Sequence, residues 1–104
     1  MDGKVTTNFT RGNDIAFGVA IQSGGKIVAA GRAGGSGGRF ALVRHNPDGS
    51  LDATFSGDGK VTTNFTAGDD VALGVAIQAD GKIVAAGGAG STNARFALAR
   101  YVAA

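Results

Sequence analysis

The chain has 104 residues, 43% hydrophobic and 17% charged, a balance too apolar for a disordered tail and sufficient for a small packed domain. Its formal charge is +2 with the ten Lys and Arg scattered singly, which argues against a nucleic-acid binder, where positive charge gathers on one face. With no cysteine, disulfide frameworks and thiolate metal sites are excluded.

All eight acidic residues are Asp, and there are 19 Gly against a single Pro. Gly and Asp are weak helix formers and frequent turn residues, so strands joined by tight turns are expected. Residues 4–9 predict a short polar edge strand with Val5, Thr7 and Phe9 on one face and Lys4, Thr6 and Asn8 on the other. Residues 15–22 alternate large and small, with Ile15, Phe17, Val19 and Ile21 on one face and Ala16, Gly18 and Ala20 on the other. Both faces are apolar, so this strand is expected to be buried between two layers. Residues 26–32 predict a third strand, and residues 39–45 a fourth, with Phe40 and Leu42 opposite Ala41 and Val43. Between them, residues 31–38 read GRAGGSGG, a phosphate-loop mimic with no helix or Lys-Ser/Thr pair behind it, and so a flexible surface connection. Leu51 and Phe55 follow, and both are expected to cover apolar surface at the sheet edge.

The same elements then recur. DGKVTTNFT occupies residues 2–10 and again 58–66, an offset of 56, and residues 2–45 match residues 58–101 at 31 of 44 positions without a gap. The chain is therefore two copies of one unit with three inner strands and a polar outer strand. A sheet that is apolar on both faces needs a neighbour on each side. Radial packing of four to eight such sheets in a propeller meets that need, whereas a two-sheet sandwich leaves one apolar face of each sheet in water.

The order GVAIQADGKIVAAG then RFALARY, with RFALVRHNPDGSLDATFSGDGKVTTNF running on from the first copy, resembles the delta-60 repeat of large, often exported bacterial proteins. That resemblance implies β-propeller blades in tandem and no particular reaction. The fold expected is thus all-β, with two four-stranded antiparallel blades per chain and the ring completed by oligomerisation. The intact blade is expected at about 15–65. The split blade is expected at about 71–101, plus residues 4–9 donated by a neighbouring chain. Three chains would make six blades and four would make eight, the counts nearest the usual range.

Candidate chemistry is sparse. Asp48 and Asp52, in NPDGSLD at residues 46–52, place oxygens at alternate positions as calcium loops do, but Pro47-Asp48-Gly49 is also a ready β-turn. Asp14 and Asp70 recur before the innermost strand, where they would ring a channel mouth or cap the preceding turn. Turn roles are the readings adopted for all four. Arg39, Arg44, Arg95 and Arg100 recur with the period and are expected to pair with Asp or carbonyl groups. His45 is replaced by Tyr101 in the second copy, which argues against a repeated catalytic role.

No catalytic residue, no cofactor and no firm metal site is expected, and the chain reads as no enzyme. The expected function is a structural, self-assembling propeller module whose partner is itself, either a minimal piece of a longer repeat protein or an engineered one. A lectin-like or small-ligand-binding propeller is the alternative, weakened by the absence of Trp. Met1-Asp2-Gly3 shows no signal-peptide pattern, and no apolar run reaches the ~20 residues of a membrane helix. A soluble chain with no membrane partner is therefore expected, while the resemblance implies export.

Overall fold

Turn residues interrupt the chain so closely that every regular element among the described residues is a strand of four to eight residues. The computed structural model describes residues 3–35 and 37–102. β1 (Asp14–Ile21), β2 (Ile27–Ala33), β3 (Arg39–His45) and β4 (Lys60–Thr63) form one antiparallel sheet in the order β1-β2-β3-β4. β5 (Asp70–Ile77), β6 (Ile83–Ala89) and β7 (Arg95–Tyr101) form a second, three-stranded meander in sequence order. The first hairpins of the two sheets close alike, through Gln22 N–H to the Lys26 carbonyl at 2.8 Å and Gln78 N–H to the Lys82 carbonyl at 2.8 Å.

The sheets stack face on face. Register places Val28, Ala30, Phe40 and Leu42 of the first sheet on one side, and all four are buried against Ala72, Ile83, Ala85 and Ala97 of the second. The small side chains of β5 and β6 let the layers approach closely. Backbone bonds tie one end of the stack, where Asp70 N–H donates to the Gly38 carbonyl at 2.8 Å. At the other end the Gln22 amide donates to the Gly81 carbonyl at 2.9 Å.

Several expectations are corrected. β1 is not buried between two layers: Ile15, Phe17, Val19 and Ile21 are all exposed. Nor do those four share a face. A β-bulge lies between Ala16 and Gly18, leaving Phe17 without an opposite residue, so Ile15 and Val19 point to opposite sides. β5 repeats the bulge between Ala72 and Gly74.

The connection expected over 31–38 is shorter, because β2 runs on through Ala33 and Gly31 is buried in the sheet; Ser36 lies outside the described residues. The outer strand expected over 60–65 stops at Thr63, since the Phe65 N–H turns aside to the Asp70 carboxylate. Within the single chain residues 4–9 form no strand and no fourth strand is paired with β7 among the described residues, whereas the donation expected of residues 4–9 concerns a neighbouring chain. Phe55 is buried as expected, but Leu51 remains 39% exposed.

Candidate functional site

The four candidate metal carboxylates are engaged by N–H and O–H donors. Asp14 accepts from the N–H of Phe9, Thr10 and Gly34 and from the Thr10 hydroxyl, at 2.7 to 3.1 Å. Asp70 repeats this with Phe65, Thr66 and Gly90. The Thr10 hydroxyl foremost, and then the three N–H groups, hold the Asp14 carboxyl well below the ordinary carboxylate range. For Asp70 burial acts the other way, and the donors led by the Phe65 N–H outweigh it, leaving that carboxyl lowered too. Four donors on one carboxylate leave little room for a cation.

Asp48 accepts from the Ser50 N–H and hydroxyl, an Asx turn that lowers its carboxyl. Asp52 is drawn into a different unit. It meets Lys26 Nζ at 2.7 Å and Arg44 Nε at 2.8 Å, and it caps Thr54 N–H and hydroxyl. The Lys26 ammonium foremost, then Thr54, hold its carboxyl far down. Asp48 and Asp52 thus serve separate turns, and among the described residues no cluster of three or more His, Cys, Asp or Glu could hold a metal.

Arg44 is the most deeply buried cation among the described residues. Its Nη1 donates to Gln22 Oε1 at 3.0 Å, its Nη2 to Thr54 Oγ1 at 3.3 Å, and its guanidinium lies 4.9 Å from the Phe55 ring centroid. It therefore clips the loop of residues 46–59 onto the sheet. Arg39, Arg95 and Arg100 are exposed, so the recurrence of four arginines conceals one buried clip.

His45 is also buried, with Nδ1 2.8 Å from the Gly49 carbonyl and Nε2 3.3 Å from Thr7 Oγ1. A carbonyl only accepts, so Nδ1 carries the proton toward Gly49. Its counterpart Tyr101 meets Thr63 Oγ1 at 2.7 Å, and burial, partly offset by that bond, raises its phenol.

These two contacts are one contact repeated, because Thr7 and Thr63, like His45 and Tyr101, are 56 residues apart. Residues 4–9 therefore cross the outer face of the first sheet in the place that β4 takes against the second. Between this arm and the sheet lies a cavity of about 320 Å³, lined by Val5, Phe9, Ala29, Ala41 and Val43 among others.

The opposite surface of the stack is a bare apolar face. Phe96 is 96% exposed and Leu98 64% exposed, whereas their counterparts Phe40 and Leu42 are fully buried. Stacked antiparallel meanders with exposed outer faces are what blades look like when removed from a ring.

Residues 22–55 and 78–103 match the family described as "Domain of unknown function (DUF5122) beta-propeller". The chain belongs to this family. The two matched DUF5122 segments begin 56 residues apart, at the buried Gln22 and its counterpart Gln78, in step with the two sheets. No curated protein and no solved structure matches the chain significantly. No helix among the described residues of this DUF5122 chain is long and apolar enough to cross a membrane.

Sequence reasoning identified the repeated Asp and Arg positions but missed Gln22 and Thr7. The repeat of GVAIQ marked Gln22, yet nothing local shows that its amide reaches both Arg44 and Gly81.

Proposed function

We propose that the chain is a propeller-building module of the delta-60 type that performs no chemistry of its own and assembles with further copies of itself by stacking sheet on sheet. One observation carries this reading: the stack joins two different surfaces of the same repeat. The first sheet uses its Phe40 and Leu42 side, and the second its Ile83 and Ala85 side. Such a contact is heterologous, so each chain keeps one unused copy of each surface, and repetition extends the stack until rotation closes it.

The exposures agree on both sides. Val75 and Ile77 pack against the core, while their counterparts Val19 and Ile21 are 65% and 60% exposed. An apolar side chain left in water forgoes about 1.5–3 kcal/mol of burial, which favours association. Among the described residues the cavities bring no catalytic set together, so a small-molecule reading has no comparable support.

Native mass spectrometry tests this directly. The expected result is a discrete multiple of the chain mass, with three copies giving six blades or four giving eight. A monodisperse monomer at micromolar concentration overturns the proposal.

A further inference from the structure

We infer that residues 4–9 are the outer strand of a sheet in a second copy, pairing along its β7 with Thr7 opposite Phe96 and Val5 opposite Leu98. This rests on the stacking reading above and adds which atoms complete the contact.

The arm is held in the pose of an outer strand although it belongs to neither sheet of the described residues. Five of its contacts reproduce those of β4 and the turn that follows. Thr7 reaches His45 as Thr63 reaches Tyr101. The Phe9 N–H, the Thr10 N–H and the Thr10 hydroxyl meet Asp14 as Phe65 and Thr66 meet Asp70, each at the same distance as its counterpart. The Gly12 N–H then closes onto Thr10 Oγ1 as Gly68 does onto Thr66, both at 3.1 Å. What differs is the neighbour. β4 is bonded to β3, whereas the arm has no strand beside it and β7 has a free edge among the described residues.

Within one chain the two cannot meet, because the arm lies on one side of the first sheet and the second sheet lies on the other. The Lys60 ammonium also pins the Asn8 carbonyl at 2.8 Å. A second copy meets the requirement in shape and in register. In the first sheet Phe40 is opposite Thr63 and Leu42 is opposite Val61. The 56-residue shift converts these pairs into Phe96 opposite Thr7 and Leu98 opposite Val5. Phe40 packs on Phe65 with ring centroids 4.8 Å apart, so Phe96 of the incoming copy would meet Phe9 at the cavity beneath the arm. Gln78, exposed here, is the counterpart of Gln22 and would donate to the Gly25 carbonyl of the next copy as Gln22 donates to Gly81.

The chain has no cysteine, which makes paired cysteines a clean probe. Opposite residues in an antiparallel ladder have Cα atoms about 4.5–5.5 Å apart, within disulfide reach. Val5→Cys combined with Leu98→Cys should give covalent multimers on oxidation, seen as a ladder on a non-reducing denaturing gel. Thr7→Cys with Leu98→Cys, two residues out of register, should stay at the mass of one chain.

Amide hydrogen exchange on the unaltered chain gives a second readout that needs no variant. Alternate amides within 4–7 and 96–99 should exchange at least about tenfold more slowly in the assembled form than after dilution to single chains. An assembly of the expected mass with unprotected amides in both segments and no matched cross-link overturns the strand pairing and leaves the stacking proposal standing. A chain that remains monomeric overturns both.

Discussion

Gly31 and Gly87 show how tightly one atom is constrained beside each bulge. A Cβ on Gly31 would collide with the Ile15 carbonyl, and one on Gly87 with that of Val71, because the extra residue of the bulge pushes the β1 or β5 backbone onto its neighbour. Gly31→Ala should therefore lower the thermal midpoint by roughly 5–15 °C, the range expected from overpacking a small domain. Gly35→Ala, where a Cβ meets nothing, should leave the midpoint within ~2 °C. Equal midpoints for the two variants, measured by circular dichroism, would contradict the close approach. The carboxylates give the residue scale a pH signature. Asp14, Asp52 and Asp70 are all held below their ordinary range when folded. Their contribution to stability is therefore complete above the unfolded value of about 3.9 and is lost as pH falls toward the folded values. The midpoint should be flat from about pH 7 to 5 and then fall through the acid limb. Asp14→Asn should make that limb shallower, and a limb of unchanged slope in a thermal titration would show that the Thr10 and backbone donors do not act as described.

The elements differ most at the loop of residues 46–59, which packs against the first sheet. Arg44 is 1% exposed within that loop's reach, while Arg100 is exposed, so the repeat supplies its own control. Arg44→Lys keeps the charge but loses the fork that reaches Asp52, Gln22 and Thr54 together, and it should lower the thermal midpoint by on the order of 10 °C. Arg100→Lys should change the midpoint by less than ~3 °C, and equal losses at the two positions would mean that the clip does not stabilise the first sheet. This asymmetry also marks where sequence reading stops. The seven strands that form among the described residues were legible to within a residue or two because Gly, Asn and Asp clusters bound them, as at Asp14–Ile21 and Arg39–His45. The bulge at Phe17 was not legible, since large and small residues alternate straight through it and only the backbone register reveals the slip. Arg44 and Arg100 are the same residue in the same motif, and burial separates them solely because Asp52, Thr54 and Phe55 fold back over one of them. Thr7 likewise gains its meaning from His45, 38 residues away, a distance at which no local pattern operates.

At the scale of the whole molecule, the chain is a stack whose two ends are unlike, and the proposed assembly joins one to the other. One end presents Phe96 and Leu98, the other Val19, Ile21 and the cavity beneath the arm. In the proposed assembly like ends have no reason to pair, so head-to-tail addition is expected rather than dimers related by a two-fold axis. Open addition would give fibres of indefinite length. A fixed rotation per blade, as in the propeller family to which the chain belongs, would instead close the ring and leave no apolar end in water. Association that stabilises the folded chain must also make its midpoint depend on concentration. The parent should therefore melt at higher temperature as concentration is raised from about 1 to 100 μM, by several degrees, while a closed ring keeps one mass throughout. Phe96→Asp places a charge at the centre of the proposed contact without disturbing the fold of its own chain, because Phe96 is 96% exposed there. That variant should retain the β-sheet circular dichroism spectrum, run as a single chain in native mass spectrometry, and melt at a temperature independent of concentration. Phe40→Asp, at the buried counterpart, should instead unfold the chain, since the same residue type already sits inside the stack with no exposure at all. If Phe96→Asp kept the mass of the parent assembly, the face carrying Phe96 would not be the joining surface, and head-to-tail closure through it would be wrong.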